Sequence, residues 1–280
     1  MEVQGLEFAG LCIILIAFVA EYADSTLGMG YGTTLTPVLL LMGFAPLQVV
    51  PAVLLSELVT GLLAGVAHHA AGNADLKPAI RNGKSLRKNV DELGWLGTMR
   101  HACPRHLKVV LVMAFCSIFG SLAAVFVAVR LPRFYLKLYI GLMVAGIGVY
   151  LLLRGRKARR FSWRRITFLG VIASFNKGMS GGGYGPVVTG GQILSGVNGK
   201  TAVAVTSLAE GLTCAAAFAA YFFTQAVVDY QLFPYLCVGA VLSVPLSVLS
   251  VRRLSPARLQ WAISVLVTGL GTFSLVRLFV

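Results

Sequence analysis

Gly28-Met29-Gly30-Tyr31-Gly32 and, 153 positions later, Gly181-Gly182-Gly183-Tyr184-Gly185 are the stretches that decide how this chain folds. Thr36, Gly43, Glu57 and Thr60 follow the first stretch, and Thr189, Gly196, Glu210 and Thr213 follow the second, in register without a gap. Each copy therefore pairs a glycine-rich break with a carboxylate about 25 residues later, inside an apolar run. Two broken helices at matching positions of two halves are the best sequence pointer to the substrate site of a secondary transporter. The pattern predicts a carrier made of two repeats, residues 1–153 and 154–280.

Composition agrees. The chain has 280 residues, 57% of them hydrophobic and only 12% charged, with a mean hydropathy of +0.82. Such a chain is too apolar for an ordinary soluble domain. The stretches 46–70, 108–130, 133–153, 200–224, 232–251 and 256–277 each have the roughly 20 residues that about 30 Å of hydrocarbon requires. The stretches 6–45 and 165–196 are apolar too, and a glycine cluster cuts each of them. The reading is an all-α polytopic membrane protein.

A net charge of +14 would suit a nucleic-acid partner if the cations were spread over one face, but they are not. No Lys or Arg precedes Lys77, whereas Glu2, Glu7, Glu21, Asp24, Glu57 and Asp75 all do. Eight cations lie in 77–108 and seven in 154–165, both between spans, where the positive-inside rule makes them cytoplasmic. Anionic lipid accounts for these clusters, and nucleic acid is not expected as a partner. The 10–20 stretch has no basic region before it and does not read as a cleavable signal peptide. Cys12, Cys103, Cys116, Cys214 and Cys237 show no C-x-x-C spacing, so neither a metal, a cofactor nor a disulfide is inferred.

With 71–107 and 154–165 cytoplasmic, 46–70 runs inward, 108–130 outward and 133–153 inward, which leaves Arg130, Arg133 and Lys137 at the outer face. Arg252, Arg253 and Arg258 place the 252–256 turn inside, and Asp229 marks 225–231 as outside. Then 200–224 runs opposite to its counterpart 46–70. The 165–196 stretch begins and ends inside, so it dips in and returns as a hairpin, and 6–45 does the same from outside. Each half becomes a re-entrant helix hairpin plus three transmembrane helices, the two repeats are inverted, and both termini lie outside. Eight plain spans with halves of the same sense are the alternative, since 6–27 is just long enough to cross alone. In the 71–107 loop, Lys77, Arg81, Lys84, Arg87 and Lys88 recur at helical spacing and suggest an interfacial amphipathic helix.

The breaks predict an anion site. Glycine adopts φ > 0 and lets backbone approach a ligand closely, ending one helix and permitting the next. Thr33 and Thr34 suit capping of the first restarted helix, and Pro186 suits the first position of the second. Both restarts would turn free N–H groups and a positive dipole end toward mid-membrane, an arrangement that binds small oxyanions. The expected substrate-binding residues are Gly28, Gly30, Tyr31, Gly32, Thr33, Thr34, Asn176, Lys177, Ser180, Gly181, Gly182, Gly183, Tyr184 and Gly185. Ser25, Thr26, Thr206 and Ser207 supply further donors nearby. Lys177 faces the anion, or else it snorkels or pairs with Asp24, which holds the corresponding position in the first copy. Close helix packing is the other use of such glycines.

Glu57 and Glu210 fall about eleven residues into their spans, near the bilayer centre. Intramembrane carboxylates commonly relay protons or partner a cation. A desolvated carboxyl can carry a proton at neutral pH. Glu57, Glu210 and Asp24 are the expected coupling residues, with bracing of the hairpins as the compatible alternative. His68 and His69 end the 46–70 span and are expected at the headgroup level.

Enzyme motifs do not hold. Gly178-Met179-Ser180-Gly181-Gly182 fits G-x-S-x-G, but a nucleophilic serine needs a base, and the four histidines, His68, His69, His101 and His106, cluster around the cytoplasmic loop. Gly199-Lys200-Thr201 ends like a P-loop whose earlier glycine is Leu194 instead, and H-E-x-x-H is absent. No catalytic residue is expected.

The segments Asp24–Pro37 and Asn176–Pro186 resemble the TauE/SafE family of sulfite exporters, and the likeness extends over nearly the whole chain, with its duplicated halves and central basic loop. Many members carry a longer run of glycines in the first motif, which Met29 and Tyr31 interrupt here. The resemblance implies transport of a small sulfur-containing anion, sulfite or an organosulfonate, across a prokaryotic plasma membrane, with proton coupling the expected drive. A channel or a carrier for another small oxyanion is the alternative, and an intramembrane enzyme a distant third. Assembly is not legible in the sequence, and a homodimer is a guess.

Overall fold

The computed structural model describes residues 2–73, 105–153, 162–194, 197, 199–224, 230–251 and 256–279. They form ten helices: α1 Glu2–Leu27, α2 Tyr31–Leu41, α3 Pro46–Ala70, α4 Arg105–Ala128, α5 Arg133–Leu153, α6 Trp163–Ser180, α7 Tyr184–Leu194, α8 Gly199–Thr224, α9 Phe233–Ser250 and α10 Pro256–Phe279. No strand occurs among the described residues. Among the described residues six helices are long and apolar enough to cross a membrane, namely α1, α3, α4, α5, α8 and α9; α10, over the expected 256–277 span, is not one of them. Most of the 71–107 loop with its expected amphipathic helix, the 154–161 cations, Gly196, Asp229, Arg252 and Arg253 lie outside the described residues.

Outward stripes of large apolar residues run along the long helices. Leu11, Leu15 and Val19 are exposed on α1, and Phe115, Phe119, Leu122 and Phe126 on α4. Spacings of three and four residues put each set on one face. A face of that kind has hydrocarbon as its solvent. The interior combines an apolar core with buried polar groups, and Tyr31, Tyr184, Tyr221 and Lys177 are the bulkiest fully buried side chains among the described residues.

Small residues set the helix pairs, because a glycine lets two backbones approach. Gly10 lies under the Tyr235 ring and Gly239 against Ile14 and Ala17, so α1 and α9 run side by side in one sense. Gly120 meets Val171 and Ser174, and Gly178 meets Ser121 and Ala124, giving α4 and α6 the same relation. The first helix of each half thus lies along the fourth helix of the other. Equivalent helices pair differently. Gly61 meets Ser207 and Gly211 while Gly65 meets Leu208, so α3 and α8 cross in opposite senses. Gly141 faces Leu275 and Gly148 faces Thr268, so α5 and α10 are antiparallel as well.

Both breaks are built alike. Gly28 and Gly30 have φ of 68° and 139°, and their counterparts Gly181 and Gly183 have 71° and 81°, values that a side chain would strain. The Gly28 N–H donates to Asp24 O at 2.5 Å and the Gly181 N–H to Lys177 O at 2.8 Å, closing each first helix in the same way. The restarting helices α2 and α7 are each 11 residues, about 16 Å long, or half a bilayer core.

The starts of these helices differ from expectation. α2 begins at Tyr31 with Gly30 as its cap, and the Thr33 hydroxyl turns back onto Gly30 O at 3.2 Å rather than capping the helix. α7 begins at Tyr184, which puts Pro186 at the third position. Proline is harmless there because all the N–H groups of a first turn lack intrahelical acceptors.

Candidate functional site

The two elbows meet backbone to backbone. A Cβ on Gly32 would fall on the Gly181 carbonyl, and one on Gly182 would lie 2.7 Å from the carbonyl carbon of Gly32. On the other side, a Cβ on Gly185 would fall on the Gly28 carbonyl and lie 2.7 Å from Met29 Cα. The second residue of each restarted helix thus touches the break of the opposite half, a reciprocal contact. No guest fits between these five glycines in this state. A hydrogen bond adds to the joint, from the Thr189 hydroxyl to Gly28 O at 2.8 Å. The counterpart Thr36 sits 3.1 Å from where a Gly181 Cβ would be, and its buried hydroxyl has no hydrogen-bond partner.

Beside the joint lies a buried charge cluster. Where α3 and α8 cross, the Gly61 Cβ position is only 2.9 Å from Gly211 Cα. Glu57 precedes that crossing by one turn on α3 and Glu210 immediately precedes it on α8, so the close approach brings both carboxylates to one point. Lys177, three residues before the second glycine cluster, fills that point. Its Nζ donates to Glu57 Oε2 and, at 2.7 Å, to Glu210 Oε1, and none of the three side chains is more than 4% exposed. Asp24 completes the group: it, Glu57 and Glu210 each place a carboxylate oxygen within 4.8 Å of the others. Glu57 Oε1 and Glu210 Oε2 are buried without a hydrogen-bond partner.

Lys177 therefore pairs with the two glutamates and not with Asp24. The Asp24 carboxylate instead accepts the Tyr31 N–H at 3.3 Å, at the N-terminus of α2. One of the two expected anion-facing helix ends thus holds the protein's own carboxylate, where the dipole favours negative charge.

Several of the remaining expected residues are buried close by, and the Tyr184 hydroxyl among them has no hydrogen-bond partner. Tyr31 is fully buried and its hydroxyl is 2.8 Å from Ser56 Oγ. Asn176 accepts the Tyr139 hydroxyl at 2.6 Å, next to the Gly183 Cβ position. The Ser180 hydroxyl donates to Asn176 O at 2.7 Å and accepts the Gly182 N–H at 3.1 Å, so it serves the turn itself. Thr26 bonds Tyr22 O at 2.7 Å, Ser207 bonds Val203 O at 3.1 Å, and Thr206 pairs with the Thr189 hydroxyl and accepts from Gln192. These hydroxyls satisfy backbone and each other rather than face an opening.

Two participants were not expected. Glu21 lies one turn before Asp24 on the buried side of α1, accepting the Ser25 hydroxyl at 2.6 Å and the Thr60 hydroxyl at 3.1 Å. Its spacing from Asp24 and Ser25 was the signal available. His68, expected at the headgroup level, is covered by protein there: it is fully buried, with Nε2 on Ser25 O at 2.9 Å and Nδ1 on the Asn73 amide at 2.9 Å. The cause is the length of α1, whose C-terminal turn reaches the end of α3 and covers the imidazole.

Comparison with known proteins bears on this site as a whole. The family model described as "Sulfite exporter TauE/SafE" matches residues 13–83 and 94–273, taking in both elbows and every residue of the cluster. The "Probable membrane transporter protein YtnM" of Bacillus subtilis (strain 168) is 28% identical over 261 residues, which cover 87% of this chain and 76% of that protein. No solved structure matches. Helices with hydrocarbon-facing stripes, broken in register around a buried charge cluster, thus coincide with a family match over most of the chain, and the protein belongs to the TauE/SafE family of membrane transporters.

Proposed function

We propose that this protein is a proton-coupled secondary carrier for a small sulfur-containing oxyanion, sulfite or an organosulfonate, in the plasma membrane. The observation that carries the reading is Lys177, buried between Glu57 and Glu210 with Asp24 beside them, at the joint of two matched broken helices. Three carboxylates around one ammonium are one acid more than two ion pairs would need and two more than neutrality allows. Burial penalises each uncompensated charge by several kcal/mol. Such a cluster favours taking up protons, and each proton it takes loosens the hold on Lys177.

The coupling follows from that competition. With both glutamates ionised, the ammonium is committed to them and is not offered to a substrate. A proton on Glu57 or Glu210 removes one partner, and an anion then replaces it at Lys177. The dipole ends of α2 and α7 add to the attraction, once a proton on Asp24 clears the first of them. The donors proposed to line the opened site are Gly28, Gly30, Tyr31, Gly32, Thr33, Thr34, Asn176, Ser180, Gly181, Gly182, Gly183, Tyr184 and Gly185. The antiparallel runs of α3 with α8 and of α5 with α10 support two inverted repeats. The direct backbone contact of the elbows favours a carrier over a standing pore, since passage requires the joint to open.

Purified protein in liposomes tests this. Radiolabelled sulfite uptake should saturate, respond to an imposed pH gradient and be competed by sulfoacetate or taurine. It should fall to the background of empty vesicles in Lys177→Met. Uptake that is linear in sulfite concentration, or indifferent to the gradient, refutes the coupled carrier.

A further inference from the structure

At the face read as outer from the loop charges, two cations converge on one cavity. It measures about 150 Å³, and its lining includes Leu40, Leu41 and Gly43 at the end of α2, Lys137 of α5, and Ser274 and Arg277 of α10. A water needs about 10–15 Å³ of such space, so an anion of four or five atoms fits with water beside it. The Phe134 and Phe279 rings meet edge to face, 6.0 Å between centroids, and tie the start of α5 to the end of α10. Exposed Tyr135 next to them suits the membrane–water boundary.

Capping of α2 accounts for only one of these cations. The last four carbonyls of a helix have no intrahelical donors. Here Val38 O accepts the Met42 N–H at 3.0 Å, and Leu39 O and Leu40 O accept the N–H groups of Phe44 and Gly43, each at 3.2 Å. Leu41 O accepts Arg277 Nη1, so all four are satisfied without Lys137. A guanidinium has five N–H donors, and this bond uses one of them. Lys137 is half-buried, and none of α2, α5 and α10 carries an Asp or Glu. Topology does not account for the pair either, because the positive-inside rule gathers cations at the opposite face. Two charges of one sign around a small cavity repel, and an anion between them reverses that. Gly43, at φ 103°, has open space where a side chain would stand, so nothing there closes the cavity.

We propose that this cavity binds a small oxyanion at the outer mouth of the protein, with Lys137 and Arg277 supplying the charge and the Ser274 hydroxyl a hydrogen bond. A cleft lined by one sign of charge raises the local concentration of its counter-ion. The site therefore gathers anions at one end of α2, whose other end, about 16 Å away, is the Tyr31 elbow. That the gathered anion is the one carried rests on the proposed function above; the binding itself does not. A lipid phosphate offers similar oxygens, but the cavity has room for a headgroup alone, and a free anion needs no acyl chains placed beside it.

The test introduces Ser274→Cys into the full chain otherwise freed of cysteine and compares two thiol reagents in detergent. One is the anionic sulfonatoethyl methanethiosulfonate, the other its cationic trimethylammonioethyl analogue, and each rate is normalised to a free thiol. The anionic reagent should be preferred at least about tenfold. Lys137→Gln and Arg277→Gln should each cut that preference about fivefold, the effect of one unit charge about 4 Å away in water. Arg277→Lys keeps the charge and should keep the preference. Sulfoacetate should slow the anionic reagent more than chloride does at equal ionic strength. A preference that neither Gln variant lowers overturns the site. So does a preference lost in nanodiscs once phosphatidylglycerol is added to neutral lipid, because lipid phosphate then owns the cavity. In liposomes Lys137→Gln should raise the outer-side KM for sulfite about fivefold with kcat within about twofold, and an unchanged KM overturns the gathering role. The reagents need no transport, so wild-type vesicles that fail to carry sulfite would refute the carrier and leave the anion site standing.

Discussion

Replacing Lys177 with methionine keeps the apolar stem of the side chain and removes its ammonium. In the native protein that ammonium bonds Glu57 and Glu210, and Asp24 lies within the same 4.8 Å group. Removing one partner of a buried ion pair costs about 3–5 kcal/mol. The remaining acids lower that cost by binding protons. Holding an ordinary carboxyl neutral at pH 7, roughly three units above where it titrates in water, costs about 4 kcal/mol. The two routes agree. The folded variant then holds more protons than its unfolded chain at neutral pH, so its stability rises as pH falls, by about 1.4 kcal/mol per unit for each extra proton. Thermal unfolding in detergent should show a deficit of roughly 6–20 °C at pH 8, using about 2–4 °C per kcal/mol. The deficit should shrink by half or more at pH 5. A second change, Glu210→Gln, should recover part of it at pH 8 by removing one acid. A Lys177→Met protein that melts within about 2 °C of wild type at both pH values would refute the reasoning, because it would mean the ammonium compensates nothing.

Ser56→Ala should destabilise by about 1–3 kcal/mol, because it leaves the buried Tyr31 hydroxyl without its 2.8 Å partner; Tyr31→Phe in the same chain should recover most of that loss in a melting experiment. Gly61→Leu should cost at least about 1–3 kcal/mol, since its Cβ would stand 2.9 Å from Gly211 Cα, and uptake should fall with it as Glu57 and Glu210 separate. Single cysteines at Met42 and Lys200, in a chain otherwise free of cysteine, should react with an impermeant thiol reagent from opposite faces of the membrane. Reaction of both from one face would sink the inverted arrangement.

The sequence carried the positions along each helix well and the rotations around them badly. The α3 and α5 bounds agree with the apolar stretches 46–70 and 133–153, and the paired positive-φ glycines fall within the two quoted breaks. Position along the helix could be read because the bounds of an apolar run place Glu57 and Glu210 near the middle of α3 and α8. Which residue meets which across helices was not legible: Lys177 was read as facing an anion or Asp24, and the crossing at Gly61 and Gly211 gives it the two glutamates instead. The crossing itself falls outside the 153-residue register, since Gly61 corresponds to Cys214 and Gly211 to Leu58. The partners of His68 were hidden for a similar reason. Its distance from the end of α3 suggested a headgroup position, and only the neighbouring helix decides whether water or Ser25 O meets the ring.

Positions 24 and 177 correspond in the duplication, yet one is an aspartate capping α2 and the other a lysine tied to two glutamates. Two perfectly matched halves would give a machine whose inward-open and outward-open shapes are mirror exchanges of equal energy. Opposite charges at one matched pair break that degeneracy. In the proposed carrier the resting population would then lean toward one face, with the Asp24 and Lys177 pair among the mismatched positions that set the lean.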